Sequence, residues 1–176
     1  MLWIYFLGLC FVHFIRQPRL KIIHDGCGEP YLIRFYLFHL LGFSLKLHVI
    51  IRPDAEREMH DHPWHFLTYM IAGGYFEEAP KNPKTFKLGH EIIRKWYGKG
   101  TLRFCRAPYP HRLELRSEAD PYDIEHTIYG TTGKHVKPQF LPAITLVLSW
   151  PRFRKWGFYG KDNWIPHDLY QSGDCE

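Results

Sequence analysis

The stretch His60-Asp61-His62-Pro63-Trp64 is followed by Gly73-Gly74-Tyr75, and these residues say most about the fold. Side chains two residues apart on an extended strand point to the same face, so His60 and His62 can reach one ion together. A third histidine, His111, lies in a later segment of alternating apolar residues. Three neutral imidazoles hold a metal ion and leave coordination positions open, as catalysis requires. The sequence therefore predicts a metal site formed by these three histidines.

Alternation of apolar and polar residues recurs along most of the chain and predicts β-strands. Leu45, Leu47 and Val49 share one face of a strand over residues 44–51, which predicts a half-buried strand with Lys46 on the polar face. His111 alternates in phase with the apolar residues that follow it and is predicted to point inward. The other predicted strands cover residues 31–40, 64–71, 75–78, 85–88, 92–97, 101–107, 111–115 and 143–150.

These nine or so short strands are separated by turn signals, of which Gly73-Gly74 is the strongest. The 176-residue chain contains 13 prolines and 14 glycines, and aromatic residues make up 17% of it, a composition that fits many short strands joined by turns. We therefore expect an all-β fold, either a closed barrel or a double-sheet jelly roll. Residues 1–176 are expected to form a single domain, with the barrel body at about 31–150.

Composition narrows the possible partners. The net charge of +5 favours acidic ligands only weakly. Residues 152–161 interleave cations and rings, which can stack bases or bind phosphates. We favour an edge strand with cations lying over aromatic packing, and expect no nucleic-acid partner. The four cysteines are widely spaced with no CxxC pair, which indicates reduced thiols in a cytoplasmic compartment.

The N-terminal residues 1–15 are strongly apolar. They are shorter than the roughly 20 residues that a membrane helix needs, and they lack the basic start and the cleavage site of a signal peptide. A membrane anchor with a basic flank is one interpretation. We favour a segment packed on the body or on a partner, so membrane association is not expected.

The segment from His60 to Gly73 resembles the first motif of the cupin superfamily, which runs His-x-His, three or four residues, Glu, six residues, Gly. Residues 100–111, with Gly100, two prolines and His111, resemble a degenerate second motif. The resemblance covers roughly residues 40–150 and implies the cupin jelly roll. The glutamate ligand of the motif is replaced by Phe66 or Leu67. What remains is a three-histidine site, as in the thiol dioxygenases of the superfamily. His65 could substitute for the glutamate, but an odd offset from His62 points it away.

A narrower resemblance is carried by residues 52–75, 146–152 and 154–158. These segments are similar to small uncharacterised cupin-like proteins of phages and bacteria. The resemblance implies the fold and a divalent metal, and it implies no established reaction. The resemblance also adds two expected locations to the cytoplasm, namely the host cytoplasm of a phage-infected cell and a virion.

Three imidazoles suit Fe(II), the favoured ion here, with Zn and Ni as alternatives. Trp64, Phe66 and Met70 continue the inward alternation and are predicted to line a substrate pocket. Tyr75 is a further predicted pocket residue and could contact an anionic substrate. Asp61 is predicted either to orient a neighbouring histidine or to form a salt bridge with Arg52, Arg57 or Arg112. Arg34 and Arg103 could bind an anionic substrate, although arginines lie on the surface by default.

Three functions follow as hypotheses. The first is a three-histidine metal-dependent oxygenase acting on a small molecule. The second is a sugar isomerase built on the same barrel, in which a histidine acts as base and a tyrosine as acid. The third is a non-catalytic binding or assembly module, in a phage particle for example. The resemblance to cupins also implies a homodimer.

Overall fold

A computed structural model describes residues 19–25, 28–54, 58–82, 91–117, 139–160 and 163–170. The described residues form strands and no helix, so none of them makes a helix that could cross a membrane. The strands are β1 (Leu20–His24), β2 (Pro30–Leu40), β3 (Phe43–Ile50), β4 (Met59–His60), β5 (Phe66–Ala72), β6 (Gly74–Pro80), β7 (Ile92–Gly98), β8 (Leu102–Cys105), β9 (Arg112–Leu115), β10 (Ala143–Ser149), β11 (Gly157–Tyr159) and β12 (Trp164–Pro166).

The strands form three antiparallel sheets. The largest has the order β1-β2-β3-β10-β5-β8, and the two smaller sheets have the orders β7-β6-β9 and β12-β11-β4. Strand β10 comes late in the chain but pairs with β3 on one side and β5 on the other. The fold is all-β with jelly-roll architecture, as predicted from the alternating pattern.

The apolar core lies between the six-stranded sheet and the sheet that contains β6 and β9. It is built from one buried residue on each of six strands: Leu32, Ile50, Met70, Tyr75, Leu115 and Ala143. Because successive side chains on a strand alternate between faces, each strand gives this core only part of its residues. The rest of the enclosed space is lined by both polar and apolar groups.

The two faces of β3 are arranged opposite to the predicted order. Lys46 is only 3% exposed and Ser44 is also buried, whereas Leu45 and Leu47 are half-buried on the outer face. Strand β10 has the same pattern, with Thr145 buried inside. Alternation predicts that two faces differ, but it does not say which one is enclosed. Here the barrel encloses a polar cavity, so the apolar face of the sheet lies outside.

The prediction for β5 is confirmed more closely. Thr68 and Met70 are buried, and Tyr69 and Ile71 are exposed, in the predicted phase. The aromatic and basic C-terminal residues form β11 and β12, and β11 is the central strand of its sheet rather than an edge strand. The N-terminal apolar segment (1–15) and the predicted strand at 85–88 lie outside the described residues.

Gly73 makes the turn between β5 and β6, as Gly73-Gly74 in the sequence predicted. Its φ is +67°, and a Cβ at this position would lie 2.1 Å from the carbonyl oxygen of Pro142. Gly100 also has a positive φ, +86°, but a Cβ there would meet nothing within 4 Å. A substitution at Gly100 therefore tests backbone strain alone, whereas one at Gly73 tests backbone strain and steric overlap together.

We expect Gly73→Ala to destabilise the protein more than Gly100→Ala. The Gly100 variant carries only the left-handed backbone cost, about 1–2 kcal/mol, and the Gly73 variant adds displacement of the Pro142 backbone. Chemical denaturation of both variants measures the difference. Equal losses in the free energy of unfolding would show that the close approach of Gly73 to Pro142 does not constrain the turn.

Candidate metal centre

Backbone pairing brings the three predicted histidines together. His60 on β4 forms a bridge with His111, in which each backbone amide donates to the other residue's carbonyl oxygen, at 2.9 and 3.0 Å. His62 follows two residues after His60. The ring centroids are 5.0–5.2 Å apart for every pair in this group. The sequence therefore correctly anticipated that these histidines meet.

The imidazole nitrogens have the arrangement of ligands around a single ion. One nitrogen from each ring lies within 4.8 Å of the other two, and Nε2 of His62 is 3.2 Å from Nε2 of His111. Metal–nitrogen bonds of about 2.0–2.1 Å place two ligand nitrogens roughly 3–3.5 Å apart, and the Nε2 atoms of His62 and His111 have this separation. Nδ1 of His111 is buried, and it has no hydrogen-bond partner among the described residues. The chain's own described groups thus leave this ring incompletely satisfied, and the donor set fits a borderline divalent metal.

The electrostatic environment keeps two of these rings neutral. Burial lowers the pKa of His62 well below its usual value, and the charge of His60 lowers it further. The pKa of His111 is lowered by burial first and then by His62. A metal ligand must present an unprotonated nitrogen, so both rings are ready to bind at neutral pH.

A carboxylate not anticipated from the sequence lies beside His60. Oδ2 of Asp54 is 3.6 Å from Nδ1 of His60, and Oδ1 of Asp54 accepts a hydrogen bond from the backbone amide of Leu113. This places Asp54 where it can fix the orientation of the ring. In the sequence Asp54 is one of several charged residues in a polar loop, and no spacing singles it out.

Asp61 has partners other than those expected. Its carboxylate, 0% exposed, accepts hydrogen bonds from Arg154 at 2.7 Å, from the Gly157 amide at 2.9 Å and from the Tyr159 hydroxyl at 3.1 Å. Asp61 thus forms a salt bridge, but with an arginine distant in sequence. No hydrogen bond to a histidine is recorded for it among the described residues. It joins the histidine segment to β11.

The other arginines proposed for Asp61 have carboxylate partners elsewhere or lie outside the described residues. Arg52 pairs with Glu29 at 3.2 Å, and Arg112 pairs with Glu78 at 2.6 Å. Arg57 is outside the described residues. His65 does not join the cluster, since its Nδ1 accepts a hydrogen bond from the Ala107 amide and its ring packs on Phe153. The odd offset from His62 correctly predicted this.

The histidines open onto a cavity of about 130 Å³ inside the barrel. Trp64, Phe66 and Tyr75, three of the four predicted pocket residues, are among the residues that line it. The ring of Phe66 meets the edge of His62 at a centroid distance of 4.9 Å. Met70 was predicted to line the pocket, and it does not; it lies further along β5, where it is buried in the apolar core.

A buried ion pair forms part of the cavity wall. Arg103 donates to both carboxylate oxygens of Glu77, at 2.7 Å for Nη2 to Oε1, and the Tyr109 hydroxyl donates to the same oxygen at 3.2 Å. Burial raises the pKa of Glu77, and the charge of Arg103 opposes that shift. Arg103 is therefore not on the surface. The carboxylate of Glu77 offsets its positive charge.

Lys46 is the least expected residue in the cavity. Its Nζ donates to Ser149 Oγ at 2.7 Å and lies 4.4 Å from the centroid of the Trp64 ring. Burial, and then the charge of Arg34, lower its pKa from 10.5 to about 7. The group is thus on the border between its charged and neutral forms at neutral pH. The polar face of β3 was visible in the sequence, but its enclosure was not.

Lys46→Met should increase stability near pH 7, and that advantage should shrink as the pH rises towards 10. Below about pH 7 the wild-type lysine is charged in both folded and unfolded states, so folding bears the full cost of burying the charge. Above pH 7 the folded protein loses the proton first, and wild-type stability rises by roughly 2–4 kcal/mol over that window. Urea denaturation at several pH values measures this. Lys95→Met, at an exposed lysine, is the control; a pH-independent difference for Lys46→Met would contradict the assignment.

Comparison with known proteins gives similarity of structure only. No protein-family model matches the chain, and no curated protein sequence matches it. Among solved structures, hydroxypropylphosphonic acid epoxidase from S. wedmorenis is 8% identical over 76% of this chain and 58% of its own, with a TM-score of 0.45. The chain thus spans a little over half of that enzyme.

Two further solved structures are similar to a comparable degree. An uncharacterised conserved protein with a double-stranded β-helix domain from Klebsiella pneumoniae is 12% identical over 74% of this chain and 86% of its own, with a TM-score of 0.44. HutD from Pseudomonas fluorescens is 8% identical over 75% of this chain and 56% of its own, with a TM-score of 0.45.

Proposed function

We propose that this protein is a metal-dependent enzyme of the three-histidine type that acts on a small molecule, with Fe(II) as the favoured metal and oxygenation as the favoured reaction. The observation that carries the proposal is the convergence of one nitrogen each from His60, His62 and His111, within 4.8 Å of one another, at the wall of an internal cavity. Three neutral ligands leave several coordination positions for substrate or dioxygen.

The metal choice determines which reaction the site supports. Fe(II), when bound, would activate dioxygen for oxidation of the substrate, whereas Zn or Ni would act as a Lewis acid. The protein's own contribution is to hold the rings of His62 and His111 neutral, to orient His60 through Asp54, and to place Trp64 and Phe66 beside the ligands. Glu77 is paired with Arg103, and we assign it no role as a ligand.

The cavity volume supports a small substrate. A cavity of about 150 Å³ in another protein holds a benzene molecule, and the cavity here is about 130 Å³. The aromatic side chains supply apolar contact on one side, and polar groups line the other.

Alanine at His60, His62 or His111 should reduce metal content from near one ion per chain to background. The reason is that each ring supplies one of only three nitrogen ligands. Elemental analysis of protein purified without an affinity tag, before and after reconstitution with iron, makes the measurement. His65→Ala, which removes a histidine outside the cavity, is the matched control and should retain the metal.

The identity of the bound metal then decides between reaction types. Iron that is lost in the three variants supports the oxygenase proposal and calls for oxygen-consumption screens. Zinc or nickel lost in the same way supports the site but not the oxygenase. Full metal content in each folded histidine variant, or no metal in reconstituted wild type, would refute the proposal.

A second role, assembly, is favoured by the outer face of the six-stranded sheet. The strand register places six apolar residues in one row across all six strands: Leu20, Phe35, Leu47, Leu146, Tyr69 and Leu102. Leu102 is 63% exposed, and the neighbouring Phe104 is 50% exposed. An apolar face that crosses a whole sheet is typical of a protein–protein interface. We propose that a second copy of the chain packs there to form a homodimer.

Leu146→Arg should convert such a dimer to a monomer, because it places an unpaired charge in the middle of this row. Light scattering coupled to size-exclusion chromatography gives the mass in solution. Glu91→Arg introduces the same side chain at an exposed position outside the six-stranded sheet and should leave the dimer intact. A monomeric wild type, or a dimeric Leu146→Arg variant, would exclude this interface.

A further inference from the structure

The charges around the cavity do not balance. Four arginine and lysine side chains line it, Arg34, Lys46, Arg52 and Arg103, against two carboxylates, Asp54 and Glu77. Glu77 pairs with Arg103, and Asp54 lies beside His60. Arg52 is bound by carboxylates outside the cavity, Glu29 at 3.2 Å and Asp25 at 3.8 Å.

Of these four cations, Arg34 and Lys46 have no carboxylate partner among the described residues. Arg34 Nε donates to Nε2 of His48 at 2.9 Å, and Lys46 donates to Ser149. Both partners are neutral, since burial lowers the pKa of His48 well below its usual value. The bond to His48 uses one of five guanidinium donors, so Arg34 retains donors for another group.

The strand register sets these two cations next to each other. Arg34 on β2 is opposite His48 on β3, and Lys46 lies two residues from His48 on the same inward face. The charge of Arg34 acts on Lys46, and both charges act on His62. Two like charges held inside a barrel are unfavourable, and either loss of the Lys46 proton or a bound anion relieves the repulsion.

We propose that Arg34 and Lys46 form a binding site for the carboxylate or similar oxyanion of the substrate, which makes the substrate class a small organic acid. This inference rests on the proposed function, because it places the acid beside the histidine cluster. His48 positions the Arg34 guanidinium, and Ser149 and the Trp64 ring position the Lys46 ammonium. The apolar part of the acid would lie against Trp64 and Phe66.

A second cavity supports the same substrate class. It has a volume of about 340 Å³ and shares Arg34, His60, His62 and Trp64 with the first cavity, so the two adjoin. Lys21 and Arg152 also line it, and Asp54 is the single carboxylate among its lining residues. Cations along an approach route raise the local concentration of anions and speed their association.

The test measures binding of acetate and of inorganic phosphate by isothermal titration, with acetamide as the uncharged analogue of acetate. Wild type should bind at least one anion and not acetamide. Arg34→Gln and Lys46→Gln should each weaken that binding at least tenfold, and either variant suffices if the other fails to fold. Arg94→Gln, at an exposed arginine on β7, is the matched control and should bind as wild type does. Preference for acetate or for phosphate identifies the oxyanion.

The double variant His60→Ala/His62→Ala separates this inference from the proposed metal site. Anion binding retained in that variant, and lost in Arg34→Gln and Lys46→Gln, supports the two cations whether or not a metal binds. Anion binding lost only in the histidine variant would assign the anion to the metal and overturn the inference, while leaving the metal proposal intact. Equal binding of acetate and acetamide, or no binding of either anion, would also overturn it.

Discussion

The buried carboxylate of Asp61 is the interaction on which the arrangement of the histidines depends. A carboxylate removed from water is costly unless its lone pairs are satisfied, and here a guanidinium, a backbone amide and a phenol satisfy them. All three donors come from residues 154–159, so the C-terminal part of the chain is fixed against the loop between His60 and His62. The pairing of β11 with β4 has the same effect on the backbone. The histidines are thus positioned from both sides, by β11 and by the bridge to His111.

The interior of the barrel contains polar groups as well as an apolar core, and this affects both faces of its strands. Its apolar cluster occupies one part of the enclosed space, whereas Lys46, Glu77 and the histidines occupy another. Each buried polar group is held by a short network, such as Glu77 with Arg103 or Lys46 with Ser149. Such networks cost stability relative to apolar packing, and they are retained where a site needs polar groups at fixed positions. The apolar residues that would fill an ordinary barrel lie on the outer face of the six-stranded sheet instead.

The same exchange of faces links the two proposals for this chain. A strand has only two faces, so placing Lys46 and Ser44 inside forces Leu45 and Leu47 outside. The polar inner face lines the cavity beside the histidines, and the apolar outer face is partly exposed. A dimer that buries the outer face would compensate for stability lost to the polar interior. The proposed metal site and the proposed dimer would therefore both follow from the choice of which strand face is enclosed.

The sequence alone determined the local features. Alternation identified β2, β3 and β5 to β10, but not β1, β4 or β12. Gly73-Gly74 identified the turn, and the spacing of His60 and His62 placed both rings on one side of the chain, because side-chain direction on a strand follows from the chain itself. The phase of His111 with its apolar neighbours predicted its inward direction. Only the tertiary structure decided which face of β3 is enclosed, and that Asp61 meets Arg154, Asp54 meets His60, and Arg34 lies beside Lys46. These pairings depend on strand order and register between distant segments, and no periodicity within a single segment specifies them.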